Sequence, residues 1–213
     1  LINKNIKVDV YSKRQKKNNF STRTLGISKD NLDFFNREIT KLKKDMIWKI
    51  KNIEVYSEKN DNEKILNFKK TQSEIFSIIK NDKVYKFLSE KLKKKNLFKK
   101  ILIKNNLFYK DIIRKKKYDL IINCDGNNII SNKFFFKKID KDYKSSAYTS
   151  IITHQKVNNK TAIQIFTKIG PIAFLPISNY KTSIVFSIVG RNNLSNMSEI
   201  KNLIKIYNNK YQI

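Results

Sequence analysis

Apolar positions along this chain fall into short blocks with two kinds of spacing, and each spacing predicts a different element. Ile6 to Tyr11 (IKVDVY) packs Ile and Val into a run of strand length. A polar segment, Ser12 to Arg23, follows. Leu32, Phe35, Ile39 and Leu42 then recur every three or four positions and line one face of a helix reaching Lys44, capped by Asp30 or Asn31. Short strand-like pieces come next at Ile53 to Tyr56, Ile65 to Phe68 and Ile75 to Ile79. The stripe Val84, Phe87, Leu88 and Leu92 predicts a second helix, capped by Asn81 or Asp82, with its lysines outside the stripe.

Two further strand-like runs between Leu97 and Ile113 lead to Tyr118 to Gly126 (YDLIINCDG). Here Leu120 to Ile122 reads as a buried strand that ends in Asp125-Gly126. A carboxylate at the carboxyl end of such a strand, followed by a residue without a Cβ, is where open α/β sheets place a ligand. An Asp-Gly pair is equally an ordinary turn. Beyond Phe134 the grammar changes to strands without helices between them. Ala147 to Thr153, Thr161 to Thr167, Ile172 to Ile177 and Ser183 to Val189 mix β-branched and aromatic residues, with turns at Asn158-Asn159, Gly170 and Asn179-Tyr180. They predict an antiparallel sheet. From Ser198, Ile200, Leu203, Ile204 and Tyr207 share one side of a last helix. This order predicts an α/β (α+β) chain, a nucleotide-binding half joined to a separate β-sheet half.

Composition removes several classes. With 14 Phe and 10 Tyr among 213 residues, the chain has the apolar area to fold. No apolar run approaches the ~18 residues that span a bilayer. A lone cysteine, Cys124, cannot form an internal disulfide, and a lone histidine, His154, cannot anchor a His/Cys metal site, so no metal centre is expected. His154 reads as a surface residue at a strand end. Trp48 and the Phe134 to Phe136 run read as core.

A formal charge of +28 suggests a polyanion partner, and a lysine-rich nucleic-acid-binding module is the alternative reading. Of 46 basic residues, however, only five are arginine (Arg14, Arg23, Arg37, Arg114 and Arg191). Phosphate and base readers lean on the bidentate arginine fork. Here lysine is spread along the whole chain, with clusters at Lys91 to Lys100 and Lys115 to Lys117, as on a solvated surface. Nucleic acid is therefore not the expected partner.

The segment DLIINCDG, followed by NNKTAIQIFTKIGPIAFLPIS and TSIVFSIV, resembles the ubiquinone-biosynthesis hydroxylases among the FAD-dependent aromatic monooxygenases. That family combines an Asp-Gly fingerprint with a sheet pattern Ala-x-x-x-Phe-x-x-x-Gly-Pro-x-Ala-x-Leu-Pro. The pattern is met at Ala162, Phe166, Gly170, Pro171, Ala173, Leu175 and Pro176. Upstream, IKVDVYSKR is similar to the second strand of the FAD-binding fold, STRTLGIS to the arginine segment after it, and IWKIKNIEVYS to the approach to the first sheet strands.

The resemblance implies a partial Rossmann-like FAD-binding domain over residues 1–133, an antiparallel substrate sheet over 134–197, and a helix over 198–213 that returns to the FAD domain. It implies FAD contacts at Arg23, Asp125 and Gly126, and a ribose contact at Ser12, where the family's usual Glu is reduced to a single hydroxyl. Ile129 and Asn132 stand where the family commonly has Ser and Arg. Phe166, Gly170, Pro171, Phe174 and Leu175 are the implied substrate pocket, with Phe166, Phe174 and Leu175 as one apolar face that excludes water. The Gly-rich phosphate loop that precedes the ribose ligand by ~20 residues in dinucleotide folds does not fit in the eleven residues before Ser12. The family's second FAD motif is likewise missing, so the chain reads as the middle of a longer enzyme.

The implied activity is hydroxylation of a polyprenylated phenol in ubiquinone biosynthesis, with NAD(P)H as co-substrate, oxygen as oxidant and FAD carrying the difficult chemistry. A different aromatic substrate on the same fold is a further alternative. The resemblance places such an enzyme in the cytoplasm or peripherally at the inner membrane, where lysines would meet anionic headgroups. It also implies assembly with other ubiquinone-biosynthesis enzymes.

Overall fold

The β-branched run predicted near the start forms strand β1 (Val8–Lys13). In the computed structural model, residues 4–13, 23–58, 63–103, 107–115, 117–126, 128–135, 139, 141–190, 197–208 and 210–211 are described. The start at Leu1, the polar segment over 14–22 and Phe136 lie outside them. After β1 come β2 (Thr24–Ser28), α1 (Lys29–Phe34), β3 (Ile47–Ile50), β4 (Asn52–Ser57), β5 (Glu63–Lys69), β6 (Phe76–Lys80) and α2 (Asn81–Lys93). They are followed by β7 (Phe98–Ile103), α3 (Leu107–Arg114), α4 (Ile129–Phe134), β8 (Ser145–Thr153), β9 (Thr161–Thr167), β10 (Gly170–Pro176), β11 (Lys181–Val189) and α5 (Met197–Tyr207).

These elements form two units, each made of two stretches of chain: Leu1–Asn18 with Ser89–Asp142, and Asn19–Leu88 with Tyr143–Ile213. The change of grammar near Phe134 is therefore not the unit boundary. Residues from β2 to the middle of α2 pack with the C-terminal strands, because β4 joins the antiparallel sheet by pairing in parallel with β9.

In the first unit, β1 and β7 pair in parallel, Ser12 opposite Leu102. Ile103, Tyr109 and Ile130 form its core, with Tyr11 and Ile113 against them. The second strand-like run between Leu97 and Ile113 is the helix α3. Tyr109, Ile112 and Ile113 are spaced i, i+3 and i+4, and this places Tyr109 and Ile112 on one buried helical stripe.

The second unit is layered. Its six-stranded sheet has the order β5-β4-β9-β10-β11-β8, and β2-β6-β3 form a smaller sheet. Alternation along β6 sends Ile78 towards Ile50, Ala162 and Leu175, and Ile79 towards Leu32, Leu42 and Met46 beneath α1 and α2. On the other side of the large sheet, Ile200 and Ile204 of α5 pack on Ile172, Phe174, Ile184 and Phe186. The last helix, expected to return to the FAD domain, belongs instead to the sheet unit.

The first predicted helix is shorter than its periodicity suggests. Ser28, not Asp30 or Asn31, caps α1, accepting from the Asn31 N–H at 3.3 Å. A π-helical turn, Phe35–Ile39, follows and ends at an extended Thr40. The Asn36 side chain then accepts from the Leu42 N–H at 3.0 Å, so Leu42 reaches the core from a reversed, non-helical segment.

Candidate functional site

The Asp-Gly segment differs most from its sequence reading. Leu120 to Ile122 is not a buried strand: Leu120 is 72% and Ile122 64% exposed. A buried parallel strand needs partners along its edges and cover on both faces. Among the described residues this run pairs with no strand.

What holds the segment is a set of polar side chains. Asn128 caps α4 by accepting from the Ser131 N–H at 2.9 Å, and its own amide donates to Asn123 Oδ1 at 2.7 Å. The Asn123 amide donates to Ser131 Oγ at 2.7 Å and to the Asp125 carbonyl at 3.1 Å, which also accepts from Ser131 Oγ at 2.7 Å. The Asp125 backbone is thus fixed, and Asp125 and Gly126 are left at the surface. No atom lies within 4 Å of where a Gly126 Cβ would stand, so among the described residues the protein itself does not require a glycine there. Neither Asn123 nor Ser131 was singled out in the sequence. The Asn128-x-x-Ser131 spacing at the start of a short helix is the signal that could have found Ser131.

Ser12 lies in β1, one residue from its end, at the carboxyl side of a parallel pair. Its hydroxyl oxygen is buried without a hydrogen-bond partner among the described residues. On the opposite face of the strand from Ser12, Tyr11 and Asp9, one and three positions before it, meet Tyr118. The Tyr118 hydroxyl donates to Asp9 Oδ2 at 2.6 Å and is hydrogen-bonded to the Tyr11 hydroxyl. Burial, then the Asp9 carboxylate, push the Tyr118 phenol well above its ordinary value. Ser12, Asp125 and Gly126 therefore belong to one unit, whereas Arg23 belongs to the other. Arg23 is exposed just before β2, and its carbonyl accepts from the Asn81 N–H at 3.1 Å.

The Gly-Pro hairpin forms as predicted, but its residues divide between two faces. Phe166 pairs with Pro171, and Ile163 with Phe174. Because successive side chains of a strand alternate, Phe166, Pro171 and Leu175 share one face while Phe174 points to the α5 face. Phe166, Phe174 and Leu175 therefore do not form one apolar wall. Gly170 is required by packing: at φ +140°, an added Cβ would sit 2.0 Å from the Ser187 carbonyl oxygen.

His154 is buried, not at the surface. Its Nε2 lies 3.0 Å from Thr182 Oγ1 and its ring 4.5 Å from that of Tyr211. Trp48 packs in the core between the sheets, as expected, donating to the Asn159 carbonyl at 2.7 Å.

A cavity of about 580 Å³ opens on the α5 face; of its lining only Phe174 was a site residue expected from the sequence. Ile163, Ile165 and Phe174 form its floor. Glu54 and Tyr56 stand on one side, Tyr207, Lys210 and Tyr211 on the other. Glu54 accepts from Lys64 at 2.9 Å, Tyr56 at 2.9 Å and Asn52 at 3.1 Å. Burial alone would raise its carboxyl, but the Lys64 and Tyr56 hydrogen bonds hold it below its ordinary value. No group of three or more His, Cys, Asp and Glu able to hold a metal occurs among the described residues. No described helix is long and apolar enough to cross a membrane.

This mixed α+β fold is similar to that of solved structures. One is the crystal structure of PqsL, a probable FAD-dependent monooxygenase from Pseudomonas aeruginosa, with a TM-score of 0.67, 11% identity and 96% of this chain covered. A four-substitution variant of PqsL gives the same TM-score and identity over 95% of the chain. The chain spans 58% of the length of either structure. At this identity the likeness establishes the fold. No protein-family model matches the chain, and no curated protein matches it in sequence.

Proposed function

We propose that this chain is part of an FAD-dependent monooxygenase. The observation that carries the reading is the fold likeness, which runs through both units and 95% or more of the chain, to a protein described as a probable FAD-dependent monooxygenase. The residues of the first unit fit such a cofactor. A buried hydroxyl without a partner at Ser12 suits a ribose hydroxyl, which can both donate and accept. The open space at Gly126 leaves the Asp125-Gly126 backbone approachable by a pyrophosphate. Ser12, Asp125 and Gly126, all in the first unit, would hold the dinucleotide. When bound and reduced by NAD(P)H, the flavin supplies the activation of oxygen for hydroxyl transfer to an electron-rich ring.

The protein's own part is to bind, orient and exclude water. Phe166 and Pro171, paired on one face with Leu175 further along β10, are the apolar surface we assign to the ring. The resemblance of Ala162 to Pro176 to the ubiquinone-biosynthesis hydroxylases supports a phenol carrying a polyprenyl chain as the substrate class. Such a substrate partitions into membranes, and the exposed lysines would hold the enzyme on anionic headgroups. Sedimentation with vesicles tests that point: binding that ignores anionic lipid removes it.

Expressed at the full length its gene encodes, the protein is expected to copurify with FAD, seen as visible flavin absorbance, and to consume NAD(P)H faster when a prenylated phenol is present. A colourless protein that takes up no added FAD overturns the reading. RNA or DNA affinity falling steeply with salt, in place of flavin binding, would return the lysines to the role of a nucleic-acid surface.

A further inference from the structure

We propose that the cavity under α5 is a binding site for a small apolar carboxylate, its ring or acyl body lying on Ile163, Ile165 and Phe174 and its carboxylate held by Lys210. The inference does not rest on the flavin reading: the cavity faces away from Leu175, on the opposite side of the sheet from the surface assigned to the ring.

Three observations converge. The volume, about 580 Å³, is that of a small-molecule site, and an apolar floor with a few polar groups is the usual construction of one. Most of the polar groups around it are already engaged within the protein. Tyr56 donates to Glu54, Tyr211 donates to Asn159 at 2.9 Å, and the Asn208 amide donates to the Tyr211 carbonyl at 2.7 Å. The Tyr207 hydroxyl is engaged with Glu58, whose carboxylate also accepts from the Lys168 N–H at 2.7 Å. The ammonium of Lys210 forms no ion pair among the described residues and lies over the Tyr211 ring, 5.6 Å from its centroid.

Charge then selects the ligand. Glu54 is paired with Lys64 at 2.9 Å, so of the two charged residues that line the cavity Lys210 is the one without an ion pair among the described residues. Lys210 is exposed at the rim, where desolvation on the cavity side pulls its ammonium below its ordinary value and Glu54 pulls it back. An amine would meet a carboxylate already holding three donors; an anion meets a cation with free donors.

Calorimetry on the protein at the full length its gene encodes, with 1-naphthoate as probe and 1-naphthylmethanol as its neutral control, tests the site. The carboxylate is expected to bind about tenfold or more tighter than the alcohol, as one charge-assisted contact implies. Lys210→Met, outside any helix or strand, is expected to bring the two probes level without altering the far-ultraviolet spectrum. Naphthoate should shift the methyl resonances of Ile163 and Ile165. Equal affinity for both probes, unchanged affinity in Lys210→Met, shifts confined to other methyls, or no binding at millimolar naphthoate would each overturn the proposal.

Discussion

Tyr211 donates its hydroxyl to Oδ1 of Asn159 at 2.9 Å, and both residues are buried. The bond ties the segment after α5 to the turn between β8 and β9. Asn159 in turn donates to the Ser178 carbonyl and to Thr182 Oγ1, each at 2.9 Å, and Thr182 lies beside His154. Removing one member of a buried set leaves the others unsatisfied. Tyr211→Phe is expected to cost about 1–2 kcal/mol and Asn159→Ala about 2–4 kcal/mol, because the amide serves three partners. Urea unfolding curves check both values, and equal losses would contradict the network.

Gly170 and Gly126 separate packing from ligand approach. Gly170→Ala drives a Cβ into the Ser187 carbonyl at a positive φ and is expected to cost more than about 3 kcal/mol, read as a fall in thermal midpoint. Gly126→Ala meets nothing within 4 Å and is expected to leave the stability within about 0.5 kcal/mol of the parent. Under the flavin reading the same Gly126→Ala weakens FAD binding. An unchanged affinity in a flavin titration would remove Gly126 from the cofactor site.

Glu54 makes stability depend on acid. Its folded value lies below its unfolded value of roughly 4.3, so its contribution is complete above that pH and is lost as pH falls through the folded value. Glu54→Gln lacks this contribution at every pH. The difference in urea midpoint between parent and variant is therefore expected to be largest near neutrality and to shrink below about pH 4. A difference that is constant with pH would show that the carboxylate's charge is not what matters.

The Asp-Gly segment depends on Ser131. Its hydroxyl donates to the Asp125 carbonyl and accepts from Asn123, so Ser131→Ala leaves two groups to find water. A cost of about 1 kcal/mol is expected, together with faster amide hydrogen exchange at Asp125. Unaltered exchange there would mean that the loop holds its shape without this contact.

Much of the fold was legible along the chain. The four C-terminal strands, the stripe of α2 and the antiparallel order follow from β-branched runs and residue spacing, because burying one face of a strand or helix imposes a period on the sequence. The Gly-Pro turn was legible for the same local reason. Ala162 to Pro176 carried enough pattern to point to a flavoenzyme fold, and the structural likeness agrees with it. Local pattern misled where a run could satisfy either period. Leu107 to Ile113 is helical, and Leu120 to Ile122, apolar enough for a core strand, is exposed.

What the sequence by itself determined is the succession of strands and helices and the face each presents, since these depend on neighbours within a few residues. Only the tertiary structure decided which faces meet. It placed β4 beside β9, more than a hundred positions away, and so brought Glu54 next to Ile163. It turned Phe174 away from Leu175, enclosed His154 and Asn159, and set Lys210 at the rim of a cavity. Pairing of distant segments is set by mutual burial and by the need of each buried polar group for a partner, and neither leaves a periodic mark on the chain.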